Sequence, residues 1–105
     1  MGELETSIQR LQEAIAISRG LLDTQADNEK ATDILLWAEA GIIRSYKTNE
    51  QIEPACEHWN TVNALMTRAK NNGSLRPLTA KRLPTKLKKF VNVDICGTVT
   101  LEQPQ

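Results

Sequence analysis

The sequence is poor in the residues that most enzymes use for chemistry. Its 105 residues include one histidine, two cysteines and five glycines, and only 4% are aromatic. The glycines form no phosphate-binding loop, and one histidine with two distant cysteines is too few for a zinc site. Cys56 and His58, two positions apart on a predicted helix, lie on different faces and make a poor nucleophile pair. We therefore expect no enzyme activity, no metal and no cofactor.

Long apolar runs are also missing. No stretch reaches the 18 apolar residues that suggest a membrane-spanning helix, and the acidic start of the chain has no apolar run of the secretory-signal type. Cys56 and Cys96 are far apart and lie in unlike contexts. We interpret them as reduced thiols. The sequence thus predicts a cytoplasmic, intracellular protein with no membrane partner.

The apolar residues that are present follow a helical period. Their spacing predicts three helices, at about 2–22, 28–46 and 54–71, in one domain that spans residues 1–105. Trp37 and Trp59 are expected in or near the core. The first helix carries a heptad row that is typical of a coiled-coil seam, which makes it a candidate oligomer interface. The row consists of Leu4, Ile8, Leu11, Ile15 and Leu22.

The third helix has an alternative interpretation. The spacing of residue types in 48–75 resembles that of a helix-turn-helix motif, in which Thr61 and Val62 would start the second helix. Glu53 and Glu57 then stand where that motif keeps a small residue and a turn glycine. We therefore interpret the segment as one continuous helix, which Gly73 ends.

The last third of the chain has a different character. Pro77 and Pro84 argue against a long helix in residues 73–89, which we interpret as a connector with at most a short helical turn. Val91, Val93 and Ile95 then alternate with polar residues, which predicts a short β-hairpin in residues 90–105. The predicted fold is therefore mainly α: a three-helix bundle in residues 1–72, a basic connector and a C-terminal hairpin.

Charge is distributed in blocks although the chain has 13 basic and 13 acidic residues. Residues 1–67 carry a net charge of −6, whereas residues 68–89 carry +8 and contain no acidic residue. Such a basic block binds phosphates by releasing their counterions. The predicted nucleic-acid-binding residues are its eight cations: Arg68, Lys70, Arg76, Lys81, Arg82, Lys86, Lys88 and Lys89.

The leading hypothesis is a non-enzymatic protein that binds DNA or RNA mainly through the phosphate backbone. No aromatic residue lies within residues 68–89, so the segment itself offers nothing for base stacking. The alternative is a protein–protein adaptor, inhibitor or assembly factor, of the phage, viral or plasmid regulator type. It would use the first helix and the basic arm against an acidic protein surface or a second copy of the chain. Equally, the basic block can pack against the chain's own acidic helices.

Overall fold

The computed structural model describes residues 3–97, with side chains from residue 5 onward, and it is mainly helical, as predicted. Within that range it contains five helices and no strand: α1 (Glu3–Thr24), α2 (Glu29–Thr48), α3 (Ile52–Asn72), α4 (Pro77–Leu87) and α5 (Val93–Cys96). No helix in this part of the chain is long and apolar enough to cross a membrane.

The central element is α2, which packs against α1, α3 and α4. Nine of its twenty residues are buried, and they are spread over most of its circumference. Leu36 and Ile43 join the main core, which also takes Val62 from α3 and Leu83 from α4. A helix that is apolar on most sides is stable only when several neighbours cover it. This explains why the other helices gather around α2.

The apolar row of α1 faces α2 of the same chain. Ile8 is buried, and Leu11, Ile15 and Leu22 are half-buried. Leu11 lies so close to Gly41 that a methyl group there would be 3.0 Å from its side chain. The side chain of Leu4 lies outside the described residues. The row therefore serves packing within the chain, and its contact with a second chain stays a prediction.

The helix ends follow from local hydrogen bonding. Asn28 caps α2, since its side-chain oxygen accepts a hydrogen bond from the Ala31 amide at 2.9 Å. α3 runs without a break to Asn72, as the continuous-helix interpretation predicted. Gly73 follows it with a φ of 79°, a left-handed conformation that favours glycine.

The predicted C-terminal hairpin is wrong over the described residues. Val93–Cys96 form one helical turn, which Asn92 caps by accepting a hydrogen bond from the Ile95 amide at 2.9 Å. Val91 is buried whereas Val93 is 72% exposed, so the apolar alternation does not mark one face of a strand. The Asn92 cap and the approach of Cys96 to α3 favour this helical turn over a strand. The expected second strand, at 98–101, lies outside the described residues.

The interpretation of the two cysteines as reduced thiols is also not what the structure shows. Cys56 of α3 and Cys96 of α5 form a disulfide, with their Cα atoms 5.4 Å apart. Both side chains are buried in the main core. Helices that pack together bring these residues into contact across 40 positions of sequence. The disulfide also removes the free thiol that a Cys56–His58 nucleophile pair would need.

Breaking this disulfide should lower stability. For a separation of 40 residues, loop-closure entropy predicts a loss of about 4 kcal/mol in the free energy of unfolding. Urea denaturation with and without a reductant measures this loss. A variant with both Cys56→Ser and Cys96→Ser should be insensitive to the reductant. An unchanged midpoint for the reduced wild-type chain would contradict the prediction.

Candidate nucleic-acid interface

The basic segment contains α4, a longer helix than its prolines suggested. Pro77 occupies the first turn, where its missing amide hydrogen costs nothing. Pro84 lies inside the helix, where it removes one backbone hydrogen bond. Thr79, Leu83 and Leu87 recur every four residues and are all buried. The burial of this stripe offsets the unfavourable proline, so the helix continues through it.

α4 is fastened to α2 by a polar cluster at its first turn. The Thr79 hydroxyl donates a hydrogen bond to the Asp33 carboxylate and accepts one from Trp37 Nε1–H at 3.3 Å. Arg76 precedes the helix, and its guanidinium lies 3.6 Å from the Asp33 carboxylate and 3.7 Å from that of Glu29. These contacts fix which side of α4 turns toward α2.

The loop before α4 is also anchored. Ser74 is buried, donates a hydrogen bond to Asn72 Oδ1 at 2.6 Å and accepts one from the Thr32 hydroxyl at 3.2 Å. Asn72 in turn donates to the Ala26 carbonyl at 3.1 Å. The segment is therefore a positioned part of the fold, with its buried polar groups satisfied.

The cations of the segment do not share one role. Only Arg76 meets the acidic residues of α2. The other seven are exposed and make no ion pair within residues 5–97. Five of these seven lie on α4 or immediately after it, and all five side chains are exposed. We call these five the α4 basic face: Lys81, Arg82, Lys86, Lys88 and Lys89.

Two predicted site residues lie elsewhere. Arg68 lines a cavity of about 230 Å³ between α1, α2 and α3, which it shares with Arg19. Lys70 lines a different cavity, of about 400 Å³, together with Ala80 at the start of α4. The contiguous basic surface is thus smaller than the basic block in the sequence.

The structure adds residues of α2 to this surface. Lys86 Nζ lies 6.0 Å from the ring centroid of Trp37, within range of a cation–π contact. Trp37, Arg44 and Phe90 line a cavity of about 170 Å³ together with Lys86. The sequence predicted Trp37 in or near the core, where it does pack, and gave no role to Arg44. Their seven-residue spacing, which places both on one helix face, was the available signal.

A separate apolar surface lies on α1 and α2. Ile17 is 67% exposed, Leu21 42% and Ile34 41%. Ile17 and Leu21 are one turn apart on α1, and the packing of Leu11 against Gly41 places Ile34 of α2 at a similar height along the helix pair. We call these three residues the α1/α2 apolar patch.

The single histidine belongs to a third, partly buried cluster. His58 Nδ1 lies 2.6 Å from a carboxylate oxygen of Glu39, whose side chain is only 3% exposed. A carboxylate accepts hydrogen bonds, so Nδ1–H is the donor. Arg19 approaches the other oxygen at 3.8 Å, and the Tyr46 ring stacks on the imidazole with centroids 5.8 Å apart. This cluster supports the buried Glu39, and the side chains of residues 5–97 include no group of three that could hold a metal ion.

Comparison with known proteins gives no family for this fold. No protein-family model matches the chain, and no curated protein or solved structure is significantly similar to it. The functional argument therefore depends on the surfaces described above.

Replacing His58 should destabilise the fold. His58→Ala leaves one oxygen of the buried Glu39 carboxylate without its hydrogen-bond donor, which costs about 1–3 kcal/mol in the free energy of unfolding. Urea denaturation measures the change. Glu57→Ala, at an exposed neighbouring position of α3, is the matched control and should stay within about 0.5 kcal/mol of wild type. Equal stability of the two variants would refute the supporting role of His58.

Proposed function

We propose that this chain is a non-enzymatic nucleic-acid-binding protein that uses the α4 basic face. The observation that carries the proposal is the exposure of its five cations. They occupy one short helix and its end, and no carboxylate within residues 5–97 neutralises them. A cation that already forms an ion pair within the chain contributes little to phosphate binding. An unpaired cation displaces counterions from the nucleic acid when it binds, and this release favours association.

The anchoring of α4 also supports this function. Arg76, Asp33 and Thr79 fix the first turn, so the basic face is presented in one orientation. A rigid element loses less conformational entropy on binding than a flexible basic tail. Because contacts to phosphates carry no sequence information, we expect binding to the phosphate backbone with little sequence preference.

The test removes charge only from the α4 basic face. Lys81→Ala, Arg82→Ala and Lys89→Ala are combined, because these exposed residues line none of the cavities described above. If five cations contact duplex phosphates, the slope of log K against log salt is about −4.5 for wild type and about −2 for the triple variant. We expect at least a tenfold loss of affinity near 0.1 M salt, measured by fluorescence anisotropy with a labelled duplex.

The matched control removes the same number of charges elsewhere. The control variant combines Arg10→Ala, Lys30→Ala and Arg68→Ala, which change exposed residues of α1, α2 and α3. This control should keep the wild-type slope within one unit. A loss of less than twofold in the α4 variant, or equal losses in both triple variants, would contradict the proposal.

The cytoplasmic location stays a prediction, and the disulfide gives it a direct test. A reducing compartment keeps thiols free, whereas disulfides persist in oxidising ones. Rapid alkylation of the protein in its host, followed by mass spectrometry, counts the free thiols among the two cysteines. Two alkylated cysteines would support the cytoplasmic prediction, whereas none would show that the disulfide persists in the host and would contradict that prediction.

A second candidate function follows from the α1/α2 apolar patch. Ile17, Leu21 and Ile34 are large apolar side chains that remain exposed, and exposed apolar patches often mark protein contacts. This favours the adaptor, inhibitor or assembly-factor alternative, with a second copy of the chain as the simplest partner.

Sedimentation equilibrium tests this second candidate. If the α1/α2 apolar patch forms a homo-oligomer, Ile17→Gln together with Leu21→Gln should weaken association at least tenfold, because both side chains would lose apolar contact area. Leu78→Gln is the matched control, since Leu78 is 56% exposed but lies on α4. A wild-type chain that stays monomeric at tens of micromolar would exclude self-association through this patch.

A further inference from the structure

The cavity between α2 and α4 combines two aromatic rings with two cations. Trp37 and Arg44 come from α2, and Lys86 and Phe90 come from α4 and the residues after it. We call this cavity the α2/α4 groove. Its volume of about 170 Å³ is below the ~300–1,000 Å³ typical of sites that enclose a drug-sized ligand. It therefore suits one planar ring whose remaining atoms stay outside.

The indole of Trp37 is held in a fixed orientation. Its Nε1–H donates to Thr79, so the polar edge of the ring is already used inside the protein. Trp37 and Phe90 are both half-buried and pack on the main core. The part of the ring that borders the groove therefore has its position set before a ligand binds, and aromatic side chains are the groups on which unpaired bases stack.

The cations of the groove are suited to the phosphates beside a stacked base. Lys86 Nζ lies 6.0 Å from the Trp37 ring centroid and also belongs to the α4 basic face. Arg44 is exposed and makes no ion pair within the described part of the chain. A strand whose phosphates contact α4 would thus pass Lys86 and bring a base to the groove.

We propose that the α2/α4 groove binds an unpaired nucleobase by stacking on Trp37 and Phe90, while Arg44 and Lys86 bind the flanking phosphates. This inference rests on the proposed nucleic-acid binding and names its substrate class as single-stranded DNA or RNA. In a duplex the bases are already stacked and paired, and extracting one costs free energy. A duplex would therefore use only the α4 basic face, whereas a single strand would use both surfaces.

The first test compares two ligands of equal length, an oligothymidylate and a hairpin duplex, at one salt concentration. Phe90→Leu leaves the Trp37–Thr79 hydrogen bond intact, so it should reduce affinity for the single strand about tenfold and leave affinity for the duplex within twofold. Trp59→Leu is the matched control, since Trp59 lines a different cavity together with Lys88, and it should change neither affinity by more than twofold. Equal losses for both ligands, or no loss for the single strand, would overturn the inference.

The second test leaves the groove intact and is independent of any folding defect in those variants. The chain has two tryptophans, so Trp59→Phe leaves Trp37 as the only one. Saturation with oligothymidylate should quench its fluorescence strongly, whereas saturation with the duplex should not. Binding of the single strand without quenching would overturn the groove assignment while leaving the proposed function standing. Failure of the wild-type chain to bind either ligand would instead refute the proposed function, and the groove assignment with it.

Discussion

The fold depends on the need to cover α2 on several sides. Its buried residues meet α1 on one side, α3 on another and α4 on a third. The apolar contact is non-directional, so it collects the helices without fixing how each is oriented. Polar contacts supply that orientation for α4, through Asp33, Trp37, Thr79 and Arg76. The same helix therefore builds the core and places the surface that we propose to be functional.

The division of charge along the chain acquires a spatial meaning in this fold. The acidic start of α2 neutralises Arg76 alone, and the five cations of the α4 basic face remain exposed. The ion pairs of Arg76 thus fix the start of α4, and the cations that follow it remain available to a ligand. The overall neutrality of the chain conceals this arrangement, because the acidic residues are largely on other helices. A local imbalance of this kind is what attraction of a polyanion requires.

The parts of the fold that sequence predicted are those specified by local periodicity. The predicted bounds of the three long helices are within two residues of the observed ones at every end, since apolar spacing and Gly73 act over short distances. The strand predicted at Val91–Ile95 is absent. The Asn92 cap and the disulfide between Cys96 and Cys56 favour a helical turn there, and they outweigh an apolar alternation of only three residues. The eight site cations were visible as a block, but Arg76 could not be separated from the others until Asp33 and Glu29 were placed. Likewise, Trp37 and Lys86 are 49 positions apart, and only packing reveals that they meet.

Lysine footprinting tests the central claim most directly, because it reads each lysine separately in the unaltered protein. The chain is acetylated briefly with and without saturating oligonucleotide, and the modified lysines are quantified by mass spectrometry. The account predicts strong protection of Lys81, Lys86, Lys88 and Lys89, with no protection of the exposed Lys30 on α2. Protection of Lys30 equal to that of the α4 lysines, or no protection at α4, would contradict it.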